Sequence, residues 1–121
     1  IESIKTGNSV IIFPEGTRSA DGNIGAFKNG SQLLAQRSEA PMVPVTIIGT
    51  RDIIRKGSMV IHPRTIDIII SPYVTIDSKD KKKGEEVLQT IHNTINKNFL
   101  NHLKSNSAKG QKKKKDSNES S

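Results

Sequence analysis

The chain has 121 residues, a length that suits one small domain or a part of a larger one. It contains no cysteine, which excludes disulfides, thiol catalysis and cysteine-based metal sites. Its three histidines lack the spacing of metal ligands, so no metal site is predicted. The net charge of +7 is uneven, because the residues from Lys104 onward carry six lysines against two acids. This basic balance permits contact with an anionic membrane or with nucleic acid and selects neither.

The first predicted element is a buried β-strand over residues 7–13. It ends in four consecutive apolar side chains, Val10 to Phe13, and Pro14 terminates the run. The run is far shorter than the roughly 20 apolar residues of a membrane span, so we expect a soluble or peripheral segment, with any spanning helix before residue 1. From Pro14 to Gly30 the sequence changes to glycine, polar and charged residues. A long loop at the end of a buried strand is where α/β proteins usually bind ligands.

The remaining elements follow from apolar spacing and turn signals. They are a short helix at residues 28–37, a buried strand at 42–48, a strand pair at 59–61 and 66–71, and a helix at 84–103. A turn at Pro63-Arg64 would join the strand pair into a hairpin. In the last helix, His92 and His102 lie off the apolar stripe and are expected to face solvent. Residues 104–121 contain no large apolar side chain, which predicts a disordered basic tail.

Four consecutive residues after the first strand could carry chemistry. Arg18 offers a planar fork of donors that matches phosphate or carboxylate. Gly16 lets the backbone approach a ligand closely, and Thr17 adds a hydroxyl donor. Glu15 can orient Arg18 or accept a hydrogen bond from a substrate hydroxyl. From spacing alone, the same residues also fit a surface loop with an internal Glu–Arg pair.

A family resemblance distinguishes between these alternatives. Phe13 to Ser19 (FPEGTRS) resembles the signature of the glycerolipid acyltransferases, the family that includes 1-acylglycerol-3-phosphate acyltransferase. Residues 27–30 resemble the F-K-x-G segment that follows that signature, and residues 43–45 resemble the V-P-V block that comes next. The three matches occur in the family's order, and the resemblance covers roughly residues 7–74.

The resemblance implies both a fold and a binding site. The fold would be α/β, with a mostly parallel central sheet flanked by helices, incomplete at the N-terminus, and residues 1–103 would be the carboxy-terminal part of the acyltransferase domain. The acceptor-binding residues would be Glu15, Gly16, Thr17, Arg18, Lys28 and Pro44. Arg18 would hold the acceptor's phosphate, and Lys28 would add a second cation beside a helix N-terminus. An exposed Lys28 and a Pro44 that only starts a strand remain open as alternatives.

The family's catalytic motif does not precede the signature within this chain. In the family, a histidine in a His-x4-Asp motif acts as general base on the acceptor hydroxyl, and the aspartate orients it. That motif lies upstream of the signature, and residues 1–13 do not contain it. We therefore expect a fragment with no catalytic residue and no acyl transfer on its own. His62 and Asp67 fit the same spacing, but they lie downstream, and the hairpin interpretation is favoured.

The resemblance also implies an activity for the parent enzyme. It would move an acyl chain from acyl-CoA or acyl carrier protein to the sn-2 hydroxyl of 1-acylglycerol-3-phosphate, making phosphatidate in phospholipid biosynthesis. The expected partners are the lysophospholipid acceptor, the acyl donor and a membrane surface, with no other cofactor. The expected place is the cytoplasmic face of a membrane, the plasma membrane in a bacterium or the endoplasmic reticulum in a eukaryote.

Three alternatives remain for that activity. The acceptor could be another lysophospholipid or glycerol-3-phosphate, since the signature does not distinguish them. The chain could also be a non-catalytic module that binds lipid or nucleic acid. Nucleic acid is disfavoured as a partner because few aromatic side chains are available to stack on bases.

Overall fold

The centre of the structure is a pair of antiparallel strands with a long helix packed against it. The computed structural model describes residues 2–54, 57–76 and 81–119, apart from the side chains of residues 81, 116, 118 and 119. In chain order the elements are α1 (Glu2–Lys5), α2 (Asn29–Ser38), β1 (Val45–Ile48), a 3₁₀ turn (Thr50–Asp52), β2 (Asp67–Ile70) and α3 (Lys81–Glu119). The predicted helix at 28–37 and the predicted strand at 42–48 are confirmed within a few residues.

The strand pair buries one face and exposes the other. Val45 pairs with Ile70 and Ile48 pairs with Asp67, and alternate side chains of each strand lie on opposite faces. Thr46 and Ile48 are buried, on the side where α3 contacts β1. The side chains of the opposite face are all apolar and between 41% and 71% exposed: Val45, Ile47, Ile68 and Ile70.

This sheet corrects two predictions. The sequence predicts a mostly parallel central sheet, whereas the described residues contain one sheet of two antiparallel strands. The predicted hairpin is also wrong, because residues 67–70 pair with β1 and not with residues 59–61. A turn signal such as Pro63-Arg64 acts only locally. The two runs rich in β-branched residues pair with each other because both then pack one face toward α3.

The apolar run at residues 10–13 is exposed instead of buried. It lies in irregular backbone before Pro14, and Ile11 and Phe13 are 84% and 75% exposed. The predicted strand is wrong for the described part of the chain, because neither β1 nor β2 pairs with this run. A strand needs a ladder partner for its backbone donors and acceptors, and apolar composition alone does not supply one.

The core lies where α2, α3 and the strand pair meet. Its buried apolar side chains are Ala35, Ile48, Ile76 and Ile91. α2 and α3 approach closely at Gly84, where an added Cβ would meet the side chain of Gln36. Small residues at such a point let two helices pack at short distance.

α3 continues through the lysine-rich end of the chain. The sequence predicts disorder from residue 104, whereas the structure gives helical backbone as far as Glu119. Each described side chain after Leu103 is exposed, so this part of α3 buries none of them. Lysine and glutamine favour helix, and each turn adds to the hydrogen-bonded turns before it. The helical backbone corrects the predicted disorder, while the division of the chain at residue 104 stays a prediction.

Polar side chains of α3 hold it to both strands. Asn98 Nδ2 donates to Thr46 Oγ1 at 3.3 Å and to Ser71 Oγ at 3.0 Å. One turn later, His102 Nε2 lies 3.0 Å from Asp67 Oδ2 on β2. The prediction that His102 faces solvent is therefore wrong, because this half-buried ring bonds to the strand. Asp67 pairs with His102, so the structure gives no support to a His62–Asp67 pair.

We predict that Asn98→Ala lowers the free energy of unfolding by about 1–3 kcal/mol. Thr46 is only 1% exposed, and its hydroxyl would lose the amide donor that reaches it from α3. Urea denaturation measures the change. Asn101→Ala is the matched control, since Asn101 lies exposed on the same helix and should change stability by less than about 0.5 kcal/mol. Equal midpoints for the two variants would contradict this role of Asn98.

Candidate functional site

The signature loop turns sharply at Gly16 and is covered by Lys28. Gly16 N–H donates to the Phe13 carbonyl at 3.0 Å, and the φ of Gly16 is +70°, a conformation that favours glycine. Lys28 N–H donates to the Pro14 carbonyl at 2.8 Å. A Cβ added at Gly16 would lie 3.3 Å from Lys28 Cγ. The structure therefore brings the predicted residues Gly16 and Lys28 into contact.

Glu15 binds backbone and not the predicted arginine. Its Oε2 accepts a hydrogen bond of 2.8 Å from Gly25 N–H, ten residues further along the chain. This bond joins the signature to Gly25, two residues before the F-K-x-G segment. The carboxylate, which the sequence suggests could orient Arg18, instead fixes the spacing of two loop segments.

Two arginines cross-link the signature loop to the loop after β1. Arg18 Nη2 donates to the Ile54 carbonyl at 2.6 Å. In the opposite direction, Arg51 donates to the carbonyls of Ala20 and Asp21 at 3.2 and 3.1 Å. Arg18 is exposed and this bond uses one of its five donors. Its guanidinium is thus positioned by a neutral acceptor that leaves the charge uncompensated.

A tight turn follows the signature. Asp21 accepts from Asn23 N–H at 3.0 Å, from Asn23 Nδ2 at 3.2 Å and from Ser19 Oγ at 3.1 Å. Ser19 Oγ in turn accepts from Gly22 N–H at 2.8 Å, and the φ of Gly22 is +85°. Hydrogen bonds from Asn23 and Ser19 to the ionised carboxylate lower the pKa of Asp21 below its ordinary value of 3.8, with the Asn23 backbone bond as the largest cause.

A cavity of about 380 Å³ lies beside the F-K-x-G segment. Its lining residues are Ala26, Phe27, Lys28, Asn29, Gln32, Glu85, Leu88, Gln89 and His92. Of the predicted site residues, only Lys28 contributes to it. Thr17 is exposed, and Pro44 is buried, where its carbonyl accepts from Ser71 N–H at 3.0 Å beside β1. The structure thus brings Glu15, Gly16 and Lys28 together. The guanidinium of Arg18 instead contacts the loop after β1, and Pro44 lies beside the sheet.

The sequence missed His92. This residue is half-buried on α3, and its Nε2 lies 3.0 Å from the Gly25 carbonyl. Its ring meets Phe27 edge to face, with centroids 4.9 Å apart and planes at 75°. The prediction that His92 faces solvent is wrong, because its ring packs against residues 25–27, a contact that the apolar spacing of α3 does not reveal. One available signal was its position four residues after Leu88, at the edge of that stripe.

Comparisons with known proteins agree on a single family. The family profile described as Acyltransferase matches residues 1–48, a range that includes each predicted binding residue. The chain is 48% identical over 58 residues to 1-acyl-sn-glycerol-3-phosphate acyltransferase BAT2, chloroplastic, from Brassica napus, which is 48% of this chain and 17% of that protein. It is 37% identical over 91 residues to 1-acyl-sn-glycerol-3-phosphate acyltransferase from Limnanthes alba, which is 75% of this chain and 32% of that protein.

A solved structure resembles the chain as well. It is the crystal structure of the 1-acyl-sn-glycerophosphate (LPA) acyltransferase PlsC from Thermotoga maritima, with a TM-score of 0.64 and 32% identity. The match covers 78% of this chain and 40% of that one. The chain belongs to the glycerolipid acyltransferase family. It spans about a third of the length of the Limnanthes relative and less of the Brassica one.

The family prediction from the sequence is thereby confirmed, and the fold in this region is that of the PlsC acyltransferase. Among residues 2–54, 57–76 and 81–119, no helix has the length and apolarity needed to cross a bilayer. Within the same ranges, no three histidine, aspartate or glutamate side chains gather in a way that could hold a metal ion.

The turn after the signature should be sensitive to acid. Because the folded pKa of Asp21 is lowered, its contribution to loop order is present above 3.8 and is lost as the pH falls through the folded pKa. We predict that the Asp21 carboxyl resonance titrates with a midpoint below 3.8 and that Ser19→Ala raises the midpoint. NMR titration measures both. An Asp21 midpoint above 3.8 in the parent chain would contradict the hydrogen bonds described for this turn.

Proposed function

We propose that this chain forms the acceptor-binding part of an acyltransferase that acts on 1-acylglycerol-3-phosphate. The acyl chain would come from acyl-CoA or acyl carrier protein and pass to the sn-2 hydroxyl, which makes phosphatidate. The names of the relatives and of the PlsC structure support this acceptor. The residues offered for its binding are those of the signature, with Lys28 and Pro44.

The observation that carries the proposal is that two cations near the signature, Arg18 within it and Lys28 packed against Gly16, lack a carboxylate partner among the described residues. Arg18 and Lys28 have no carboxylate partner within the described ranges. The nearest candidate in sequence, Glu15, is occupied by Gly25 N–H. Since a phosphate ester would compete poorly with a carboxylate already bound, free cations are what an anion site requires.

The start of α2 adds to this positive environment. α2 begins directly after Lys28, and no side chain caps its first turn. Backbone N–H groups of an uncapped helix start can donate hydrogen bonds to an anion. Lys28 thus joins the signature loop to a helix N-terminus, and the acceptor's phosphate would lie between Arg18 and this end of α2. The cavity lined by Lys28 offers space on the α3 side.

The general base would come from the part of the parent enzyme that this chain does not cover. The family's His-x4-Asp motif precedes the signature, and the one His–Asp pair among the described residues, His102 with Asp67, joins α3 to β2. The exposed apolar face of the strand pair, together with the exposed run at residues 10–13, supports a larger domain that covers both. The chain alone should then show no acyl transfer.

Membrane association is part of the proposal. Lys112 to Lys115 are exposed on the last turns of α3. Near an anionic lipid surface, each lysine contributes on the order of 1 kcal/mol of attraction. A basic helix of this kind would hold the enzyme on the cytoplasmic face of the membrane that contains its lysolipid acceptor.

We predict that Arg18→Ala in the full-length enzyme raises the KM for lysophosphatidate by roughly 10- to 100-fold, because a charged hydrogen-bond partner of the phosphate is lost. Arg18→Lys should recover part of this loss, since it keeps the charge without the planar fork. Steady-state kinetics with lysophosphatidate and with monoacylglycerol, which has no phosphate, measure the effect.

Two comparisons make this test specific. The penalty of Arg18→Ala should be much larger for lysophosphatidate than for monoacylglycerol, and Arg37→Ala, which removes an exposed cation of α2, should change neither KM. An equal penalty on both acceptors would show that Arg18 acts only through its bond to the Ile54 carbonyl. If the enzyme instead preferred glycerol-3-phosphate or a choline lysolipid as acceptor, the proposed acceptor would be wrong.

A further inference from the structure

We propose that His92 is a positioning residue for the acceptor site, which it serves by clamping Gly25 against the signature loop. The proposal rests on the proposed function, because the site that His92 positions is the one offered there for the acceptor's phosphate. His92 stands on α3, 67 residues from Gly25 along the chain, so the contact joins α3 to the loop that follows the signature.

Both backbone polar groups of Gly25 are engaged. Its N–H donates to Glu15 at 2.8 Å, and its carbonyl accepts from His92 Nε2 at 3.0 Å. Gly25 is therefore held between the signature on one side and α3 on the other. Lys28 follows three residues later, and its own N–H is bonded to Pro14. Residues 25–28 are thus fixed at both ends, and with them the backbone from which the Lys28 side chain extends.

The ring of His92 contacts the same segment a second time. It packs edge to face on Phe27, the residue before Lys28, with centroids 4.9 Å apart. A single side chain of α3 thereby contacts backbone at residue 25 and side chain at residue 27. Movement of this segment away from the loop would break both contacts together.

To bind the Gly25 carbonyl, His92 needs to provide one hydrogen-bond donor. A carbonyl oxygen can only accept, so Nε2 carries the hydrogen, and Nδ1 is buried without a hydrogen-bond partner among the described residues. A glutamine side chain can place an N–H donor near the position of Nε2. His92→Gln should therefore preserve the clamp, whereas His92→Phe keeps a ring beside Phe27 and removes the donor.

His102 provides the matched control. It also lies half-buried on α3, and its Nε2 lies 3.0 Å from Asp67 Oδ2 on β2 and 3.0 Å from Asn106 Nδ2 on α3. His102→Phe removes an equivalent contact of α3 that does not reach the signature loop. Any effect shared by the His92 and His102 variants is a general effect on α3 packing.

The first measurement is amide hydrogen exchange at Gly25 in the 121-residue chain. His92→Phe should speed exchange of the Gly25 N–H about fivefold or more, because loss of the carbonyl bond frees the peptide from Glu15. His92→Gln and His102→Phe should stay within about twofold of the parent. Unchanged exchange in His92→Phe, or equal acceleration in His102→Phe, would overturn the clamp.

The second measurement is kinetic, in the full-length enzyme. His92→Phe should raise the KM for lysophosphatidate about fivefold with kcat within about twofold, and His92→Gln should restore the KM. An unchanged KM alongside faster Gly25 exchange would overturn the positioning role. If the enzyme transferred no acyl chain to lysophosphatidate, the proposed function would fail, and the exchange measurement would still decide whether His92 clamps Gly25.

Discussion

The site depends on a close approach between two loop segments at a residue without a side chain. Gly16 adopts a positive φ, and Lys28 packs over the space where a Cβ would otherwise lie. Hydrogen bonds from Lys28 N–H to Pro14 and from Gly25 N–H to Glu15 hold the segments together at backbone level. The intervening residues then form a closed loop, which Arg51 ties to the region after β1. In the proposed function, a loop pinned in this way would present Arg18 and Lys28 to the acceptor at low entropic cost.

α3 stabilises the strand pair and the loop at residue 25 through its contacts with both. Two strands alone are marginally stable in water, so β1 and β2 need the helix that buries one of their faces. The contacts of α3 are partly polar: Asn98 reaches β1 and the residue after β2, His102 reaches β2, and His92 reaches the loop at residue 25. The uncovered face of the strand pair is entirely apolar, as expected if the longer relatives supply further structure there. One helix thus couples the sheet to the site.

The sequence predicted local features well and long-range ones poorly. The signature was found because four residues with distinct chemistry are consecutive, and α2 and β1 were found because their spacing is intact. The apolar run at residues 10–13 was predicted as a buried strand, but burial needs a pairing partner that composition cannot reveal. The local turn signal at Pro63-Arg64 predicts a hairpin for β2, whereas its actual partner is β1. Apolar spacing predicts that His92 and His102 face solvent, because polar side chains at the edge of an apolar stripe carry no periodic signal.

The partner of Arg18 bears on what the site can bind. A carboxylate partner would neutralise the guanidinium and compete with an anionic ligand, whereas the Ile54 carbonyl orients it and leaves its charge available. Glu15, three residues earlier, is the carboxylate nearest to Arg18 in sequence, but it bonds to Gly25 N–H instead of to the guanidinium. The bond that closes the loop thus orients Glu15 toward Gly25, and among the described residues Glu15 forms no ion pair with Arg18. Loop geometry and charge are in this way set by one side chain, so a change at Glu15 would disturb both the position of Lys28 and the electrostatics at Arg18.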